Sequence, residues 1–324
     1  WGSEPEFDGK EWAAKDVVLV TFNYRVGPFG FFAHPEISAE DPEHATGNWG
    51  TLDQIAALKW VKNNIAQFGG DPDNVMIFGQ SAGSRSVKFL SASPLTEGLF
   101  NKAVVMSGSG LVDPSKTADA KAVEGGRMTT QGHLTLEEAE ASIKEVMDWA
   151  GLTDLKKMRA ASTETIYALG TVYTSVTGKR SALSAMPIAP YLDNYVLPIT
   201  FDEACVTDKL AKVPFMIGYT LNDSGNMGPQ IADFCLNREE LGQRAYAYQF
   251  ARPLPDDGSH PEDYLKGAFH SSDLWSIAGD LGLRVTGISR KECLRHGPIL
   301  PNMVTLMARE KRFGNLTPRI TRRS

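Results

Sequence analysis

The sequence predicts an α/β fold with a mostly parallel central sheet flanked by helices. Three observations carry this expectation. Short continuous apolar runs, Val17-Val18-Leu19-Val20, Val75-Met76-Ile77-Phe78 and Ala103-Val104-Val105-Met106, suit strands buried on both faces. Between the first two lies a segment in which Leu52, Ile55, Leu58, Val61, Ile65 and Phe68 recur at helical spacing and form one apolar face. Gly79-Gln80-Ser81-Ala82-Gly83 then stands where the second run gives way to a helical segment. In that strand–turn–helix setting the pattern G-x-S-x-G becomes a sharp turn that lifts a serine hydroxyl clear of the sheet.

Taken in order, the first strand occupies Asp16 to Arg25 and is broken by Gly27-Pro28-Phe29-Gly30. A helix spans about Thr51 to Phe68, and Gly69-Gly70-Asp71-Pro72 stops it. The next strand enters the serine turn, and Gly79 and Gly83 leave room for the crowded backbone there. The run at Ala103 ends at Ser107-Gly108-Ser109-Gly110. Residues 111–200 read as a largely helical section covering the site. In it, Thr135 and Glu138 form a capping box ahead of the stripe Leu136, Ala139, Ile143, Val146 and Ala150. Strands return at Pro214 to Thr220 and at Ala245 to Phe250. Ligands of such folds sit beyond the carboxyl ends of the strands, which is where Ser81 falls.

Composition narrows the functional classes. A chain of 324 residues with 42% hydrophobic and 22% charged residues is long enough for a sizeable core and reads as globular. A formal net charge of -6 gives no hint of nucleic-acid binding. No apolar run approaches a membrane span. Cys205, Cys235 and Cys293 lack paired or zinc-like spacing, and the histidines form no H-E-x-x-H, which argues against a disulfide framework and a metal hydrolase. Compartment and oligomeric state are not legible.

A serine hydroxyl is a poor nucleophile until a base takes its proton, and the base is most often a histidine oriented by a carboxylate. For a serine on such a turn, the chain order is serine, acid, histidine. His34 and His44 precede the serine. His133 sits at a helix start and His260 in a Pro/Asp/Gly-rich loop, whereas His270, in Gly267-Ala268-Phe269-His270-Ser271-Ser272-Asp273-Leu274-Trp275, fits best. Asp223, in the loop after the Phe215-Met216-Ile217 strand, stands where the acid is expected. A turn-forming aspartate accounts equally well for Asn222-Asp223-Ser224-Gly225. Asn222-Asp223-Ser224 also matches a glycosylation sequon, a reading disfavoured because a glycan there would obstruct the acid.

These residues resemble the type-B carboxylesterases of the α/β-hydrolase fold. The resemblance rests on Asn23 to Phe31, Gly47 to Gln54 with Ala57-Leu58-Lys59-Trp60-Val61, Asn64 to Pro72 leading into the serine turn, Ser107-Gly108-Ser109, and Gly267 to Trp275. It covers roughly residues 12 to 281. It implies a serine hydrolase that cleaves small-molecule carboxylic esters through an acyl-enzyme, with no cofactor or metal. Ser81 would be the nucleophile, His270 the general base and acid, and Asp223 the acid position, which is often Glu in the family. The Ala82 N–H would be one oxyanion donor, and Ser107 a serine near the site or simply a strand-end turn residue. A non-catalytic adhesion or scaffold protein on the same fold is the rival reading. Such relatives commonly lack the serine or the histidine, and an inactive truncated gene product is a further rival.

Two departures from the family pattern accompany the resemblance. Trp1-Gly2-Ser3 with Phe7-Asp8-Gly9 resembles the segment just after the family's H-G-G-G oxyanion loop. The expectation is therefore a fold incomplete at the N-terminus, with a catalytic domain over residues 1–289. Residues 290–324 form a basic tail with nine Lys/Arg and two Glu. The bases encoding Gly297 to Ala308 can read, one base earlier, as Trp-Thr-Asn-Phe-Ala-Lys-Tyr-Gly-Asp-Pro-Asn-Gly, which is similar to the family's C-terminal block. The tail is thus expected to be frameshifted sequence, leaving Cys293 and His296 without an evolved role.

Overall fold

The computed structural model describes residues 9–41, 46–112, 134–183, 190–223, 225, 227–253 and 267–277. The basic tail, His44, His133, His260 and His296 lie outside them. At the centre is a parallel sheet of four strands in the order β1 (Met76–Gln80), β2 (Lys102–Met106), β3 (Phe215–Thr220) and β4 (Ala245–Phe250). Two short helices and a long one, α1 (Lys10–Ala13), α2 (Pro35–Ser38) and α3 (Trp49–Asn64), come before β1, and α4 (Ala82–Ala92) joins β1 to β2. Between β2 and β3 lie α5 (Leu136–Trp149), α6 (Leu155–Ala160), α7 (Thr163–Thr177) and α8 (Phe201–Val206). Helix α9 (Met227–Glu240) joins β3 to β4, and α10 (Ser272–Ile277) follows β4. Parallel neighbours need such crossovers, because a tight hairpin can join only antiparallel strands.

Register explains why the strands are apolar throughout. Ile77, Val105 and Ile217 belong to the cluster that also takes Ile55, Leu58, Val87, Phe201 and Phe234 from α3, α4, α8 and α9. Their neighbours along the strands, Met76, Val104, Met106, Met216 and Phe78, pack on the opposite face with Trp12, Val17, Leu19, Tyr248 and Leu274. Side chains alternate faces with period two, so a sheet covered on both sides needs an apolar residue at nearly every position. Phe234 is wholly buried, stacked on Phe201 at 5.7 Å and edge-on to Phe215 at 5.4 Å. Burial of a side chain of this kind contributes about 1.5–3 kcal/mol.

Two helical expectations are refined. Helix α3 begins at Trp49, and its last turn tightens into a 3-10 segment over Ile65–Phe68. Gly69 ends it in the left-handed conformation at φ 82°, the common glycine cap. Ile55, Leu58, Val61 and Ile65 are buried as the periodicity requires, but Phe68 is 62% exposed and lies against Trp60 at 5.7 Å. At the tightened turn the 3.6-residue period no longer carries Phe68 to the core.

The stretch around Val17-Val18-Leu19-Val20 corrects the expectation of a strand. Its side chains alternate: Val17 and Leu19 join one apolar cluster, Val18 and Val20 the other. Yet it forms no strand of the described sheet. An apolar run reports burial on both faces, while strand identity also needs a partner's ladder of N–H and C=O groups.

Helices α5 and α7 form a second apolar body with Phe31, Phe32, Leu169, Tyr173, Leu183 and Tyr191. Thr135 and Glu138 close both bonds of the capping box that starts α5. This body is fastened by a buried polar clasp. Asn48 Nδ2 donates to the Tyr191 carbonyl at 3.0 Å and to Asp193 Oδ2 at 2.7 Å, while Asn48 Oδ1 accepts from the Tyr191 N–H at 2.8 Å. Asp193 Oδ1 accepts from the N–H groups of Tyr195, Val196 and Leu197. Gly47 at φ 84° leaves the space that the Tyr191 ring fills: a Cβ there would fall 2.8 Å from the ring. Among the described residues, no helix is long and apolar enough to cross a membrane.

Candidate functional site

Ser81 is the single residue between β1 and α4, and it has φ 56° and ψ −111°. A non-glycine residue held there costs about 1–3 kcal/mol and persists only where its surroundings over-determine it. They do so here. The Ser81 N–H donates to the Met106 carbonyl at 2.9 Å, extending the β1–β2 ladder by one residue into the turn. From the other side, Ser84 Oγ donates to the Ser81 carbonyl at 2.5 Å. Gly79 is required, since a Cβ there would sit 2.3 Å from the Gly83 backbone. Gly83 itself is not crowded: a Cβ on it would meet nothing within 4 Å. The expectation that both glycines make room is therefore corrected for Gly83. Ala82 is the first residue of α4, so its N–H has no intrahelical acceptor and lies at the positive end of the helix dipole.

Asp223 follows the last residue of β3 by three positions. Its Oδ2 accepts from Thr220 Oγ1 at 3.2 Å, and its Oδ1 lies 2.7 Å from His270 Nδ1. The loop bearing His270 is clipped to the residue just before Asp223. The Asn222 N–H donates to the Ala268 carbonyl at 2.9 Å, and the Ala268 N–H donates to Asn222 Oδ1 at 3.0 Å. Gly267, at φ 76°, lets the chain pass: a Cβ there would fall 2.5 Å from Asn222 Oδ1. Asn222 thus positions the dyad, a role that its sequon context concealed.

The hydrogen bond to Asp223 is the chief cause that raises the His270 pKa; burial opposes it, and the charges of Asp223 and Asp273 add to it. A neutral imidazole bonded to a carboxylate through Nδ1 carries its proton on Nδ1 and presents a lone pair at Nε2. Gln80 Nε2 lies 3.3 Å from that atom, so its amide donates to it. Among the described residues, no hydrogen bond joins Ser81 Oγ to His270.

Ser107 follows β2 at φ 52° and is buried. Its N–H donates to the Gly218 carbonyl at 2.8 Å, and its Oγ is buried without a hydrogen-bond partner among the described residues. The next residue packs on the serine turn: a Cβ on Gly108 would fall 2.1 Å from Ser84 Oγ. Buried Lys88 on α4 holds the same loop, donating from Nζ to the Gly110 carbonyl at 3.0 Å and to the Gly108 carbonyl at 3.3 Å. Its pKa is lowered by burial, against the nearby charge of Asp202. No spacing rule singles out a lysine of this kind. His34 is buried and caps α2, accepting from the Glu36 N–H at 3.3 Å. Among the described residues, no group of three or more His, Cys, Asp or Glu could hold a metal ion.

Known proteins resemble this chain in both sequence and fold. Fumonisin B1 esterase of Sphingopyxis macrogoltabida is 37% identical over 266 residues, spanning 80% of this chain and 44% of that protein. Para-nitrobenzyl esterase of Bacillus subtilis (strain 168) is 33% identical over 258 residues, 79% of this chain and 47% of that one. The chain therefore spans less than half the length of these relatives. A solved PNB esterase superposes with a TM-score of 0.64 at 26% identity, covering 86% of this chain and 61% of its own. The fold is that of the α/β-hydrolases. With residues 1–263 matching the carboxylesterase family, the chain belongs to that family.

Proposed function

We propose that this protein hydrolyses small-molecule carboxylic esters through an acyl-enzyme, with Ser81, His270 and Asp223 as its triad. The observation that supports this most is the Asp223–His270 bond, which keeps the proton on Nδ1 and leaves the Nε2 lone pair, now accepting from the Gln80 amide, to serve as the base beside the strained serine turn. In the first half-reaction, Ser81 Oγ displaces the Gln80 amide from Nε2, attacks the ester carbonyl carbon and gives its proton to His270. The oxyanion is held by the Ala82 N–H. As the C–O bond breaks, His270 Nε2 returns the proton to the departing alkoxide. A water then attacks the acyl carbon, gives its proton to His270, and the acid leaves as Ser81 regains its hydrogen. Residues 1–289 would form the catalytic domain, with the segment 111–200 covering the site and the tail 290–324 outside it.

The relatives named for esterase activity support an ester substrate for this chain as well. The test is stoichiometric labelling of the 324-residue protein by an organophosphonate, alongside turnover of a short-chain aryl ester. Labelling at Ser81, lost in Ser81→Ala, is expected. A folded protein that neither labels nor turns over ester overturns the reading.

A further inference from the structure

The helix that starts at the serine turn carries a lysine at a buried position. Lys88 is 5% exposed and stands one turn beyond Ser84, which is wholly buried. Residues four apart share a helix face, and along this face of α4 runs the loop that follows β2. At the Ser84 end, Gly108 lies so close that a Cβ on it would fall 2.1 Å from Ser84 Oγ and 2.6 Å from Ser84 Cβ. At the Lys88 end, Nζ donates to the Gly110 carbonyl at 3.0 Å and to the Gly108 carbonyl at 3.3 Å, and it sits 4.4 Å from the centre of the Phe201 ring. Helices α9 and α8 close the far side of the loop. The Leu111 N–H donates to the Gln230 carbonyl at 2.9 Å, and a Cβ on Gly110 would fall 2.0 Å from that same oxygen. The Val112 N–H donates to Asp202 Oδ1 at 3.0 Å.

A buried ammonium carries a desolvation cost that an apolar side chain would avoid. Here it answers two backbone carbonyls outside the sheet ladder, groups that need donors when water is excluded. We propose that Lys88 is a positioning residue for Ser81, acting by pinning the 108–110 loop against α4 so that Ser84 stays turned toward the serine. This rests on the reading of Ser81 as the nucleophile. Ser84 Oγ donates to the Ser81 carbonyl. That bond helps hold a backbone at φ 56° and ψ −111°, a conformation that persists only while its surroundings enforce it. Gly108 fills the space beside the Ser84 hydroxyl, and Lys88 keeps Gly108 there.

The test is Lys88→Met, which keeps the length of the side chain and removes its donors. In the full 324-residue protein, the rate of Ser81 labelling by an organophosphonate and the kcat for a short-chain aryl ester should each fall about tenfold, with KM little changed. Ser84→Ala should give a loss of similar size. The double variant should be no slower than the worse single one, because both changes break one link. A lysine that only supported the fold would lower the urea midpoint and leave the rate per folded molecule unchanged. Lys88→Gln, which keeps a shorter amide donor, should fall between Lys88→Met and the unaltered protein, and it replaces Lys88→Met in every comparison if that variant does not fold. Exchange of the Ser81 amide hydrogen, followed by NMR, needs no turnover. It should quicken about tenfold relative to the Ile217 amide in β3. Full rates in the folded variant, unchanged Ser81 exchange, or losses that multiply in the double variant would each overturn the proposal. Quickened Ser81 exchange in a protein that never labels sinks the hydrolase reading instead and leaves the positioning standing.

Discussion

Asp223 Oδ1 lies 2.7 Å from His270 Nδ1, and the two side chains meet solvent very unequally: the carboxylate is 1% exposed and the imidazole 40%. The inner partner is fixed and the outer one works at the surface of the site. Because the bond raises the His270 pKa, the free base appears only at higher pH than for an ordinary histidine. The kcat/KM of the protein should therefore climb through a midpoint above the ordinary histidine value. The linked stability runs the opposite way. The stabilisation from this pair is fully present below the unfolded-state pKa and fades as pH rises through the folded one. Asp223→Asn should lower kcat by about 10³–10⁴-fold with KM little changed, since the amide no longer secures the Nδ1–H tautomer. Retained kcat in that variant would remove Asp223 from the proposed triad.

Gly79 and Gly83 flank Ser81 symmetrically in sequence and asymmetrically in space. A methyl on Gly79 runs into the Gly83 backbone at 2.3 Å, while one on Gly83 meets nothing within 4 Å. Gly79→Ala should cost about 1–3 kcal/mol, because backbone and not a flexible side chain must yield. It should also slow phosphonate labelling of Ser81. Gly83→Ala, in the first turn of α4, should be neutral or stabilising by up to about 1 kcal/mol. Urea denaturation of the two variants decides, and equal costs would refute the asymmetry.

The legibility of the sequence tracks the range of the forces involved. Helix α3, the four strands and the serine turn are set by local periodicity and turn chemistry, so Ile55, Ile77 and Ser81 can be read directly. His270 and Asp223 are reached through chain order and family pattern, although 47 residues separate them. The groups that hold them are not legible. Gln80 and Asn222 act through contacts that only the folded chain creates, as Lys88 does for the loop after β2, and none has a distinctive spacing. The run at Val17 misleads for a related reason: its apolarity is real, but a ladder partner is a tertiary fact.

The clasp at Asn48 should behave as one unit. Asn48→Ala strips partners from the Tyr191 N–H, the Tyr191 carbonyl and Asp193 Oδ2 together. Buried groups left without partners should cost about 2–4 kcal/mol in total. Asn48→Asp keeps an acceptor for the Tyr191 N–H but sets two carboxylates face to face. It should be the more damaging change at pH 7 and should recover on acidification, when one carboxyl regains a proton to donate. Chemical denaturation at pH 5 and pH 7 reads both, and a pH-independent penalty for Asn48→Asp would refute the direct contact with Asp193.

Asp273 gives a stability signature independent of catalysis. Burial pushes its pKa up to about 6, against about 3.9 for an unfolded aspartate. Between these values the folded state holds a proton that the unfolded state has released, so stability falls as pH rises through the window and stays lower above it. A difference of roughly two units corresponds to about 3 kcal/mol. Asn at this position does not titrate. The stability of Asp273→Asn relative to the unaltered protein should therefore improve by up to about 3 kcal/mol between pH 4 and pH 7. Taking the difference between the two proteins at each pH cancels most other titrating groups, His270 apart. Urea denaturation across that range measures it. A flat difference would show that the Asp273 carboxyl ionises as freely in the fold as in the unfolded chain, despite its burial against Tyr248.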